Sequence, residues 1–163
     1  MCIRDRTDAH AVLGRVGEKL LGGKMHLDVA AARKAIEEKL AVKLNMTVEE
    51  VADVKTAVSE AVTNAIIHGY ESRIEKITLR CKTCGDTLYI EIEDHGKGME
   101  DVKKAMEPLF TTRPELDRSG MGFSFMEAFM DQVEVSSKPG KGTIVKMQKT
   151  IGKGRKVWTT QSL

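Results

Sequence analysis

Aromatic side chains are scarce in this chain, 4% of its 163 residues, and that scarcity removes the stacking platforms on which single-stranded nucleic acids are commonly held. Charge of one sign is lacking too. Lysine and arginine number 26 against 24 acids, a formal net charge of +2, too small for the whole-molecule field to gather a polyanion. No basic stretch interleaved with aromatics occurs, so no direct contact with nucleic acid is expected. Apolar runs stay short of the roughly 18 residues a membrane span needs, and the N-terminus has no hydrophobic signal core; a cytoplasmic protein without membrane contact is expected. Cysteines number three, with one close pair, Cys81-Lys-Thr-Cys84. A zinc site would need two more ligands at a matching spacing, and none is present, so the pair reads as two small residues at a hairpin turn. What is left, 41% hydrophobic and 31% charged, suits one globular domain able to bury a core.

Along the chain the order is α/β, not a repeat. Residues 1–24 hold Gly14, Gly17, Gly22 and Gly23 without periodic patterning and are expected to be a poorly ordered or non-native leader. The domain itself is expected over 25–151. Ala30 to Val42 has helical patterning. Thr47 followed by Glu50 three residues later forms a capping-box signature that opens a long helix ending at Gly69. Two alternating strands follow; in the second, Leu88, Ile90 and Ile92 share one face, Tyr89, Glu91 and Glu93 the other, and Asp94 is in phase with the apolar side. A short helix from Val102 to Met106, a polar loop from Pro108 to Ser119, and a helix from Gly122 to Met130 come next. Strands around Val133–Val135 and Thr143–Met147, joined by the turn Pro139-Gly-Lys-Gly142, close the domain before a basic tail over 152–163.

Three segments carry chemistry. In the long helix, Glu60, Asn64 and His68 recur every four residues. Each step advances about 40° around the axis, so the acid, the amide and the imidazole spiral toward the apolar stripe of Val51, Val54, Val58, Ala61, Val62 and Ala65, at the rim of a core. In the second, Asp94-His-Gly96-Lys-Gly98, an inward-pointing aspartate ends a strand. Burying it is costly unless it meets a donor; the amine of adenine is one, and Gly96 and Gly98 would let the backbone pass beside a flat ring. The competing reading is an Asp that starts a glycine-rich turn. In the third, Arg118-Ser-Gly120-Met121-Gly122 precedes a helix, where free N–H groups and the positive end of the helix dipole can meet phosphate. A flexible loop would read the same way. The spacing matches neither a Walker A loop nor a dinucleotide fingerprint.

Taken in order, these segments resemble the N, G1 and G2 boxes of the GHKL superfamily, which includes gyrase, MutL and histidine-kinase ATPases, and Gly142-Thr143 resembles its closing threonine motif. Ser59-Glu-Ala-Val-Thr-Asn-Ala-Ile-Ile-His-Gly-Tyr70 and Pro108-Leu-Phe-Thr-Thr-Arg-Pro-Glu-Leu-Asp-Arg-Ser-Gly-Met-Gly-Phe123 are more closely similar to bacterial anti-sigma factors that are also serine kinases, in particular their sporulation branch. The resemblance runs from Met25 to Ile151. It implies an α/β fold, an α+β two-layer sandwich with a mixed sheet packed on one side by helices. It also implies ATP/ADP as ligand with Mg²⁺ held through Asn64, Glu60 as general base, and Asp94 reading adenine with support from Thr143, Gly96 and Gly98. His68 would lie at the nucleotide. Gly120, Met121 and Gly122 would donate to phosphates. The loop from Thr111 to Ser119 would be a lid, with Thr112 near the phosphates and Arg118 at the γ-phosphate or a docked partner.

The partners implied are a sigma factor, a small anti-anti-sigma protein phosphorylated on serine, and a second copy of the chain. A departure accompanies the match: where the family carries a partner-contacting arginine, counting back from Thr47 places Lys34, with Arg33 beside it, and lysine lacks the guanidinium fork. The opening also differs, since Met25-His-Leu-Asp28 is more similar to the family's start than Met1-Cys-Ile-Arg4. Three alternatives stand beside the main reading. The nucleotide boxes are shared with stress-response anti-sigma kinases. A histidine-kinase module would need a phosphoacceptor on a helix pair, which neither His10 nor His26 occupies. An ATP-gated binding module without transfer would leave Glu60 structural.

Overall fold

The computed structural model describes residues 19–21, 24–26, 29–69, 77–107 and 122–152. The expected leader up to residue 18, the lid and the tail beyond Gly152 lie outside the described residues. Two short strands, β1 (Lys19–Leu21) and β2 (Lys24–His26), form an antiparallel hairpin with Lys19 opposite His26. Its first strand falls in the stretch read as unpatterned, because three residues are too few to display a period of two.

Helix α1 (Val29–Ala35) runs on into a wider π-wound turn, Ile36–Ala41. Ala32, Ile36 and Leu40 are buried, a row at intervals of four that faces the next helix. That helix, α2 (Val48–Asn64), also ends in a wider turn, Ala65–Gly69. The capping box is present: Thr47 accepts from Glu50 N at 3.2 Å, and Glu50 accepts from Thr47 N at 3.0 Å, so two of the orphan donors at the helix start are satisfied. The other oxygen of Glu50 accepts from Gly152 N at 2.6 Å, tying the start of α2 to the end of the last strand. A hydrogen bond from Lys55 to Glu37 links α2 to the wide turn that follows α1.

Strands β3 (Ile77–Cys84), β4 (Thr87–Asp94), β5 (Gln132–Lys138) and β6 (Gly142–Thr150) form one sheet in the order β3-β4-β6-β5. Every ladder among these described strands is antiparallel, where a mixed sheet was expected. The strands arrive as two hairpins, and their later strands, β4 and β6, meet in opposite directions. Between the hairpins come α3 (Val102–Ala105) and α4 (Gly122–Phe129).

The sheet's inner face carries Ile77, Leu79, Cys81, Leu88, Ile90, Ile92, Val145 and Met147, which form one core with Val54, Ala57, Val58, Ala61 and Val62 of α2 and Met126 of α4. Each large aliphatic side chain buried there contributes about 1.5–3 kcal/mol. The outer face is charged in register. Arg80 stands opposite Glu91, Glu91 opposite Lys146, and Lys146 opposite Glu134, and Arg80 Nη1 lies 2.6 Å from carboxylates of both Glu91 and Glu93. Cross-strand pairs of opposite sign suit an antiparallel sheet with one face in water. Lys149 turns the other way. Its Nζ donates to the carbonyl of Phe129 at 2.7 Å and lies 3.5 Å from Asp53, joining β6, the C-terminal end of α4 and α2, where a cation is favoured by the helix dipole. No helix among the described residues is long and apolar enough to cross a membrane.

Candidate functional site

Glu60, Asn64 and His68 are half-buried on one edge of α2 and its final turn, as the four-residue spacing requires. The first residue of α4 sits on that edge. A Cβ on Gly122 would lie 3.1 Å from Asn64 Nδ2 and 3.2 Å from Glu60 Oε2, so the absence of a side chain lets the start of α4 rest directly on the acid and the amide. Below them the helix ends at Gly69, whose carbonyl accepts from Lys97 N at 2.9 Å. A Cβ on Gly96 would stand 2.1 Å from that same carbonyl oxygen, a distance no side chain tolerates. The two backbones can touch there only at glycine.

Asp94 ends β4 in the buried phase, 6% exposed. It accepts from Gly96 N at 2.9 Å and from the backbone of Thr143, its cross-strand partner. Burial pushes its carboxyl above the ordinary carboxylate range, and the two backbone donors hold it back. Gly142, at φ +92°, passes so close that a Cβ would lie 2.0 Å from the Asp94 carbonyl oxygen. Gly98, at φ +70°, similarly abuts the Lys138 carbonyl. Both combine a left-handed backbone with a close approach, which excludes any side chain.

These elements enclose a cavity of about 660 Å³, within the range of small-molecule sites. Its floor is apolar, from Ala61, Ala65, Ile92 and Val145, and its polar wall includes Asn64, His68, Asp94 and Thr143. Gly69, Gly98 and Gly122 also line it, along with Lys97 and the segment from Met99 to Glu107, except Val102 and Lys103. Glu60 stands beside Asn64 under Gly122, and Gly96 behind the wall against Gly69. Residues far apart in the chain, Glu60, Asn64, His68, Asp94, Gly96, Gly98, Gly122 and Thr143, are thus brought together. Thr112, Arg118, Gly120 and Met121 lie outside the described residues.

Ser137 was missed. Its Oγ accepts from Met99 N at 2.8 Å, donates to the Gly142 carbonyl at 3.0 Å and lies 2.8 Å from Thr143 Oγ1. The turn Pro139–Gly142 contains the signal: a hairpin closed by Lys138 and Gly142 places residue 137 opposite residue 143. The cysteine pair is no joint site. Three residues apart on a strand, Cys81 and Cys84 point to opposite faces; Cys81 is buried in the core, and burial drives its thiol pKa upward. Among the described residues no group of three His, Cys, Asp or Glu side chains could hold a metal ion.

A family model described as the histidine kinase-like ATPase domain matches residues 26–149. The chain belongs to that family. Within it, an anti-sigma F factor of Thermoanaerobacter sp. (strain X514) is 60% identical over 112 residues, 69% of this chain and 78% of that protein. An anti-sigma F factor of Caldanaerobacter subterraneus subsp. tengcongensis is 59% identical over 71% of this chain and 80% of its own length. One from Clostridium botulinum (strain Eklund 17B / Type B) is 54% identical over 74% and 84%. A looser likeness, to Acinetobacter baumannii histidine kinase AdeS, has a TM-score of 0.48 at 14% identity over 63% of this chain and 47% of that one, and decides nothing further. The fold is the α/β fold of histidine kinase-like ATPases, with β3 to β6 in one antiparallel sheet covered by helices on one face, and the family is one of ATP-binding domains.

Proposed function

We propose that this protein is an anti-sigma factor with serine kinase activity, which binds and silences a sporulation sigma factor of the sigma F type and uses ATP to phosphorylate a serine on its anti-anti-sigma antagonist. The observation that carries the reading is the convergence of Asn64 and Asp94 on one cavity, with Glu60 beside Asn64 under Gly122 at its edge, in a chain 60% identical to an anti-sigma F factor. The residues suit the ligand. Asp94 and Thr143 supply acceptors for an adenine edge, and Gly96 and Gly98 let the loop after β4 close against Gly69 and Lys138 around the cavity. The amide oxygen of Asn64 is a hard donor of the kind Mg²⁺ takes when it arrives on phosphates.

Bound ATP would supply the phosphoryl group, which passes to the serine oxygen as the bond to ADP breaks. Glu60 receives the hydroxyl proton in that exchange. His68 lines the same cavity on the nucleotide side, and Gly120, Met121, Gly122, Thr112 and Arg118 serve phosphate binding and the lid. Residues 25–151 form the ATPase domain in this reading, flanked by a leader and a basic tail, and the protein works as a cytoplasmic homodimer. Arg33 and Lys34, exposed on α1, would meet a partner's acids in this reading.

The test is incubation with labelled ATP, Mg²⁺ and an anti-anti-sigma protein, followed by mapping of the labelled residue. Phosphoserine on the partner is expected. Phosphohistidine on this chain would select a histidine-kinase module instead. Nucleotide binding with no label on either protein would leave an ATP-gated binding module.

A further inference from the structure

We propose that Ser137 is a positioning residue that fixes the hydroxyl of Thr143 as a hydrogen-bond acceptor toward the cavity, and so makes the pocket prefer a 6-aminopurine to a 6-oxopurine. The inference deepens the nucleotide-binding reading and rests on it. Proton counting carries it. A serine hydroxyl has one hydrogen and two lone pairs. One lone pair of Ser137 Oγ accepts from Met99 N at 2.8 Å, and the hydrogen goes to the Gly142 carbonyl at 3.0 Å. The 2.8 Å contact with Thr143 Oγ1 is then made with the proton of the threonine, which leaves Thr143 only lone pairs to offer.

Thr143 stands directly opposite Asp94 across the β4–β6 ladder, and both line the cavity. An ionised aspartate also only accepts. Two acceptors side by side meet a base edge that carries an amine and repel one that carries a carbonyl oxygen in its place. Ser137 itself does not line the cavity; it acts through Thr143. It also accepts from the backbone at Met99, next to Gly98 on the cavity wall, a tie between that loop and the β5–β6 hairpin shared with Gly140 N, which donates to the Lys97 carbonyl at 2.7 Å.

Removing the Ser137 hydroxyl frees the Thr143 rotor to turn its proton toward a 6-oxo group. Titration of ADP and inosine diphosphate into wild type, Ser137→Ala and Ser137→Thr measures the effect. The ADP preference should fall about fivefold to tenfold in Ser137→Ala, the worth of one buried hydrogen bond, and return in Ser137→Thr, which keeps the hydroxyl. In a Thr143→Val background, Ser137→Ala should change the preference no further, since the serine works through the threonine. An unchanged preference in Ser137→Ala overturns the proposal, as does an equal drop in the Thr143→Val background. Should the alanine variant fold poorly, Ser137→Cys, of similar size but a weak donor and acceptor, carries the same comparison. Wild type that binds neither nucleotide sinks the nucleotide reading itself, whereas wild type that prefers ADP with Ser137→Ala unaltered sinks only the role of the serine.

Discussion

Asp94 is held in the fold against its own preference. Its carboxyl is buried at the end of an apolar strand face and pushed above the ordinary carboxylate range, chiefly by desolvation. A raised carboxyl binds its proton more tightly in the folded chain than in the unfolded one. Folding stability from this group therefore falls as pH rises from the ordinary carboxylate range through the raised value, and the loss is complete above it. At neutral pH, Asp94→Asn should then raise the melting temperature of the nucleotide-free protein while weakening ADP binding, because an amide can present its NH₂ to the adenine amine. Melting curves at pH 5 and pH 8, paired with ADP titration, read both effects; a variant that loses stability and binding together would assign Asp94 to structure. Glu60 answers a different question. Glu60→Gln keeps the shape next to Asn64 and removes the proton acceptor, so ADP binding should persist while phosphotransfer to a partner serine falls about 10²-fold or more. Transfer at the wild-type rate would take Glu60 out of the chemistry.

At the scale of elements, α2 is the part that a sequence shows most openly. Its start is written as Thr47 and Glu50, its buried face as Val54, Val58, Ala61 and Val62, and its rim as Glu60, Asn64 and His68, all local in the chain and all with a helical period. Thr47→Ala, which removes one half of the capping box, should cost about 1 kcal/mol in denaturant unfolding; no measurable change would mean that Glu50 and Gly152 alone hold the helix start. The glycines were legible as residues but not as contacts. That Gly96 touches Gly69, and that Gly122 rests on Glu60 and Asn64, depends on which strand lies beside which helix, and no local period encodes that. The antiparallel β4–β6 ladder and the contacts of Ser137 escaped for the same reason, although the hairpin turn contained the register. Gly122→Ala tests the contact between α4 and α2. The added methyl meets side-chain atoms at 3.1 to 3.3 Å, so Asn64 and Glu60 must give by a few tenths of an ångström. The strain of that contact is offset by the roughly 1 kcal/mol that alanine gains over glycine in a helix, so unfolding stability should change by no more than about 1 kcal/mol, while phosphotransfer should fall if the two displaced groups act in the proposed site.

Across the whole molecule, the sheet order β3-β4-β6-β5 is what makes one site out of scattered motifs. Placing β6 beside β4 sets Thr143 opposite Asp94, and the packing of α2 on the same face brings Gly69 under Gly96. A ligand in the cavity would therefore touch the helix, the loop after β4 and the β5–β6 hairpin at once, and its binding energy would add to the folding of all three. Binding to the native state alone stabilises by about 2.7 kcal/mol at a ligand concentration one hundred times Kd. For a chain of 163 residues that corresponds to a rise in Tm of about 5 to 11 °C. Hydrogen exchange should locate the gain: ADP should slow exchange at Gly96, Lys97 and Met99, at Thr143, and in the last turn of α2, and leave the charged outer rows around Arg80 and Lys146 almost unchanged. A rise in Tm with protection confined to the outer face, or no rise at saturating ADP, would mean that the cavity is not where the nucleotide binds. In Asp94→Asn the same ADP concentration should give a smaller rise, even though the nucleotide-free variant starts from a higher melting temperature, and this opposite movement of the two quantities separates a carboxylate kept for its ligand from one kept for the fold.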